Sequence, residues 1–141
     1  MAAYNKFQQF AEDVMKGVHN FTSDGTSTIT VALTAAANAP VATNSVLADL
    51  TQISYTNLSA RVVTGVTAEQ ASGTVSLTGT DLVLTASGAV ATFRYVVLYN
   101  DDPTSPADPL ICWFDYGSDI TLASGETLTL DFASGVIATL V

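Results

Sequence analysis

Three kinds of side chain in this 141-residue chain could do chemistry: one imidazole, one thiol and a run of carboxylates. The imidazole is His19. A Ser or Cys nucleophile needs such a base within hydrogen-bond reach, and a carboxylate to orient it. The immediate neighbours of His19 are Val18 and Asn20, and no G-x-S-x-G elbow occurs. Its expected place is just past a helix end, facing the helix dipole or solvent. The thiol, Cys112, stands between Ile111 and Trp113 in an apolar run, where a small buried residue is expected. A lone cysteine excludes an intramolecular disulfide. Zinc would need more His or Cys than the chain holds. No glycine pattern of a P-loop or dinucleotide site is present.

The carboxylates cluster more suggestively. Asp101, Asp102 and Asp108 share one loop, and Asp115 and Asp119 follow just beyond. Oxygen clusters of this kind suit calcium, but the alternating acidic spacing of an EF-hand is missing. Pro103, Pro106 and Pro109 stiffen the loop instead. The expectation is a solvated surface loop without metal. Glycoside cleavage would need a cleft and a carboxyl of raised pKa, neither legible here. Tyr95, Tyr99, Trp113 and Tyr116 could stack on sugars, but core packing is the stronger expectation for each. The residues therefore point to no catalytic site, no cofactor and no metal, and so to a protein that is not an enzyme.

The elements that would position these groups are mainly strands. Phe93, Tyr95, Val97 and Tyr99 alternate with Arg94, Val96 and Leu98, and Leu110 to Tyr116 repeats the aromatic bias. Both runs read as buried strands of a central hairpin, Asn100–Pro109 forming the loop between them. Further strands are expected at Thr28–Thr34 (half-buried), Arg61–Thr64, Thr74–Thr78, Asp81–Ala86, Ile120–Leu122, Glu126–Phe132 and Gly135–Leu140. The step Thr78-Gly79-Thr80-Asp81 reads as the tight turn of a second hairpin. Turns are expected at Ala123–Gly125 and Ala133–Gly135, and a turn-rich linker at Asn20–Ser27.

At the other end, Tyr4, Phe7, Ala11, Val14 and Val18 recur at helical spacing, widened by Phe10 and Met15. This predicts an amphipathic helix ending near Gly17. Ala35–Asn44, with Pro40, reads as a small-residue arm. Asn44 could cap a short helix over Val46–Leu50, which could equally run extended. The expected fold is a single mainly β domain over residues 1–141. It is an antiparallel β-sandwich, jelly-roll or immunoglobulin-like, over 28–141, with one N-terminal amphipathic helix within 1–20. The helix stripe must be covered, either by its own sandwich or by another chain. Tyr4, Phe7, Phe10 and Val14 on the helix, with Pro40 and Val41 on the arm, are the candidate protein–protein contacts. The sandwich is expected to fold without residues 1–20.

Composition narrows the partners. Thirteen acids against four bases give a formal net charge of −9, and Lys6, Lys16, Arg61 and Arg94 are scattered. Such a chain repels phosphate backbones, so nucleic acid is not an expected partner. Only 12% of residues are charged, where about a quarter is typical, and Ser and Thr fill the gap. No run is long and apolar enough to span a membrane, and the first ten residues lack a signal-peptide core, so synthesis in the cytoplasm is expected.

The stretches AAYNKFQQFAEDVMKGVHNF, ITVALT, APVATNSVLADLTQI, FRYVVLYND and LICWFDYGSDITLASGETLTLDF together resemble a family of small virion proteins. These are encoded in the structural-gene modules of tailed bacteriophages. Tyr4–His19, Ala39–Leu50 and Phe93–Tyr116 carry most of the resemblance, while Ser54–Gly73 departs from the family's more glycine-rich middle. The resemblance implies a structural role, best fitting a capsid decoration or cement protein on the outer surface of the head. Its partners would be the major capsid protein and copies of itself, a trimer being a natural arrangement. The chain would be made in the host cytoplasm and end on the virion. The alternative roles are a head-fibre base, a tail or neck component, or a carbohydrate- or receptor-binding module.

Overall fold

The computed structural model describes residues 2–21 and 27–141. The linker expected at Asn20–Ser27 therefore lies mostly outside the described residues. The chain runs β1 (Ala3–Lys6), α1 (Gln8–Met15), β2 (Ile29–Thr34), β3 (Val62–Val63), β4 (Thr67–Ala71), β5 (Thr74–Thr78), β6 (Leu82–Thr85), β7 (Phe93–Asn100), β8 (Leu110–Ile120), β9 (Thr127–Leu130) and β10 (Val136–Leu140). Short 3-10 turns occur at Ala36–Asn38, Leu47–Asp49 and Ala133–Gly135. The fold is mainly β and antiparallel, a sandwich with one helix near the N-terminus, as expected.

One layer is a five-stranded sheet of order β1-β8-β7-β2-β3. The second layer is split into β10-β5-β4 and β6-β9. The expected central hairpin is β7–β8, in which Val97 pairs with Trp113 and Leu98 with Cys112. Its alternation is broken at both ends. Phe93 pairs with Ile120 but Tyr95 with Asp115, so β8 carries extra residues there. This bulge turns Phe93 into the core of Val96 and Leu98, away from the face expected from simple alternation.

The central strands of the five-stranded sheet are buried on both faces. The first core lies between the layers and includes Ile29, Val31, Leu33, Phe93, Val96, Leu98, Leu84 and Phe132. The second lies on the opposite face, where Phe7, Ala32, Val97, Tyr99, Leu110 and Trp113 are covered by Ala42, Leu47 and Leu50. Every residue of β2 is consequently buried, not half of them as the Thr–apolar alternation suggested.

Three further expectations are corrected. The N-terminal helix is half the expected length, because Ala3–Lys6 is a strand whose Tyr4 pairs with Phe114 and Lys6 with Cys112. An edge strand in need of a partner outweighs a helical pattern of only two turns. The helix begins after extended Phe7 and closes with a Schellman motif. Gly17 adopts φ +73°, its N–H donates to Val14 O (3.1 Å), and Val18 N–H donates to Asp13 O (2.9 Å).

The arm 35–44 packs on its own domain. It runs back across its own sheet, where Gln8 N–H donates to Ala42 O (3.0 Å) and Leu110 N–H donates to Ser45 O (2.9 Å). Nor do β5 and β6 form a hairpin: β5 pairs with β4 and β10, while β6 pairs with β9. Gly79 serves a crossing between sheets instead. A Cβ there would lie 2.8 Å from Val63 Cγ1 and 2.9 Å from Ile137 Cδ1. The hairpin in this region is β4–β5, turned by Ser72 (φ 51°) and Gly73 (φ 85°), a pair of positive φ values that fits a type I′ turn.

Candidate functional site

The six residues expected as contacts have divergent fates. Phe7 is fully buried with its ring 4.5 Å from that of Trp113, and Phe10 is buried in the first core. Pro40 is buried as well. All three are covered by their own chain. Val14 is half-buried against the first core. Only Tyr4 and Val41 are exposed, at 44% and 53%. Because Phe7 enters one core and Phe10 the other, residues 1–20 are an integral part of the sandwich. The sandwich thus includes β1 as well as residues 28–141.

What the fold does gather is an apolar groove at one side of the sandwich. Two adjoining open pockets of about 340 and 370 Å³ share Phe114, Asp131 and Phe132. Tyr116, Leu128 and Leu130 line one, and Tyr4 and Val136 the other. Among the described residues, Asp131 is the only charged side chain in either lining. The groove opens because β9 and β10, consecutive in the chain, belong to different sheets and leave the rings under their junction uncovered. The sequence marked Tyr4 as apolar, but the meeting of β1, β8 and β9 is a long-range event with no local signal.

The aromatic set considered for sugars does not form a platform. Tyr99 and Trp113 are buried in the second core and Tyr95 packs beside them, whereas Tyr116 is exposed and lines the groove.

The acidic loop uses its carboxylates internally. Thr28 N–H donates to Asp102 Oδ2 (2.8 Å), and Asp101 N–H donates to Thr28 O (2.8 Å), tying the loop to the entry of β2. Burial and the neighbouring Asp101 raise the Asp108 carboxyl. Asp115 instead accepts from Arg94 Nε and Nη2 at 2.8 and 3.0 Å, and from Gly117 N–H at 2.8 Å, which hold it below the usual carboxylate range. Among the described residues no three His, Cys, Asp or Glu side chains stand together as a metal site.

Cys112 is fully buried, and burial pushes its thiol far above the ordinary value. His19 departs from expectation in being 7% exposed, turned away from solvent. Its ring stacks on Phe21 at 5.1 Å and meets Phe10 edge-on, also at 5.1 Å. Its Nδ1 lies 3.3 Å from Asn100 Nδ2. Desolvation lowers its pKa to about 4, against a smaller opposing pull from Asp13. Compared with models of known protein families, with curated proteins and with solved structures, the chain matches none.

Proposed function

We propose that this protein is a non-enzymatic structural component of a tailed-bacteriophage virion, a decoration protein on the outer surface of the head shell. Its partners are the major capsid protein and copies of itself. The observation that carries this reading is the division of its side chains. The two groups best suited to nucleophilic or proton-transfer chemistry, His19 and Cys112, are sealed in apolar packing. Apolar surface, by contrast, is presented in one groove beside exposed Tyr4 and Tyr116. Such a molecule is built to contact rather than to transform. The resemblance to phage virion proteins supports the same reading. Its three strongest segments, Tyr4–His19, Ala39–Leu50 and Phe93–Tyr116, meet around the second core.

The groove is the surface assigned to the shell contact, since net charge −9 disfavours docking of one acidic copy into another there. The test is the position and copy number of the protein in purified particles, by cryo-electron microscopy and quantitative mass spectrometry. Many copies spread over the head, lost on Tyr116→Asp with Leu130→Asp, are expected. A few copies confined to one vertex or to the tail would refute the decoration role.

A further inference from the structure

The buried imidazole is the group that neither the fold nor the proposed function uses. His19 joins three elements: Phe10 on α1, Phe21 beyond the helix, and Asn100 at the end of β7. The tautomer follows from the hydrogen bonds. Asp102 N–H donates to Asn100 Oδ1 (3.2 Å), which orients the Asn100 NH2 toward His19. Nδ1 must then accept, so the neutral ring carries its proton on Nε2. That Nε2 is buried and has no hydrogen-bond partner among the described residues.

A proton arriving at Nδ1 would place N–H against N–H at Asn100 and a charge inside an aromatic cage. Few groups oppose this. On α1, buried Asp13 is the facing carboxylate, already accepting from Gln9 Nε2 at 3.0 Å. Glu12 and Lys16 pair with each other on the exposed side. From the second layer, Ala68, Val75, Leu77, Ala138 and Leu140 line the 160 Å³ pocket shared with Phe10, Val14, His19 and Phe21, and none is charged. Beyond Asn100, the Asp101 carboxylate accepts from Thr30 Oγ1 (3.4 Å) and that of Asp102 from Thr28 N–H (2.8 Å). Asp24 lies outside the described residues.

We propose that His19 is an acid-sensitive latch. In its neutral form it holds the unit from Gln8 to Phe21 against the second layer, and on taking up a proton it lets that unit lift away. Phe7 and β1, anchored on the other face and on β8, remain in place and act as the hinge. Lifting widens the pocket between Phe10, Val14, Phe21, Leu77 and Leu140 into a second apolar surface. The inference stands on the fold and is independent of the virion assignment.

His19 is the chain's one histidine, so its NMR signals are unambiguous. Nitrogen-15 spectra at pH 7 should show the Nε2–H tautomer. Hydrogen exchange, corrected for intrinsic rate, should be compared at pH 7 and pH 5, the lower value kept above the isoelectric point of about 4.1. Given the displaced titration, amides of α1 should lose roughly twentyfold in protection while those of β7 and β8 change little. His19→Phe should abolish that selective loss. Uniform loss in all elements, an unaltered loss in His19→Phe, or titration of His19 at its ordinary value with no change in exchange would each overturn the latch. If His19→Phe does not fold, the titration and exchange of the native chain decide the matter alone.

Discussion

The two faces of the five-stranded sheet solve the same burial problem differently. On the first face, strands and part of α1 cover strands, and the core is large and chiefly aliphatic. On the second, an irregular segment, 39–50, is drawn across Tyr99, Leu110 and Trp113 and sealed by Phe7. Sheet-on-sheet packing couples each residue to partners on several strands, so its loss spreads. A covering segment held by a few backbone bonds can detach with less disturbance. The comparison teaches that regular strands close one core of this molecule and an irregular segment closes the other.

The difference can be broken or sharpened by matched substitutions. Phe93→Ala empties the first core and should cost about 4 kcal/mol, read as a lowered urea midpoint for the whole fold. Phe7→Ala removes a ring equally buried in the second core and should cost less, about 3 kcal/mol, because 39–50 can settle inward. It should also alter Trp113 fluorescence and open 39–50 to proteolysis. Equal costs with no selective proteolysis would erase the distinction.

Gly79→Ala probes the crossing of the second layer, where the added methyl meets the Val63 and Ile137 side chains. A loss of about 1–2 kcal/mol is expected by thermal denaturation. Asp49→Ala tests the covering segment's own bonds, since Ser45 N–H (2.7 Å) and Val46 N–H (3.2 Å) both donate to its Oδ2. About 1 kcal/mol should be lost. These bonds lower the Asp49 pKa, so their stabilisation is complete above the unfolded carboxylate value and fades as pH falls through the folded one. The Asp49→Ala penalty should shrink correspondingly in acid. Val41→Ser, on the exposed side of the covering segment, should change stability by less than about 0.5 kcal/mol.

Much of the architecture is legible in local pattern. The β7–β8 runs, β5 and the buried place of Cys112 follow from alternation and apolar content, because those signals act over a few residues. Strand β4 was not legible: Thr67–Ala71 is polar, and only the Ser72-Gly73 turn hints at it. The candidate contacts were the least legible. Tyr4, Phe7 and Phe10 share a helical spacing, yet one lies on a strand and the other two enter opposite cores.

By itself, then, the sequence determined the fold class and the acidic balance, since composition and period-two alternation are properties of the chain alone. Tertiary structure decided what covers what. Whether 39–50 lies on its own sheet, whether β5 turns to β4 or to β6, and whether His19 meets water or two phenylalanine rings depend on contacts between distant residues. Closing such contacts costs loop entropy that only the assembled core can offset.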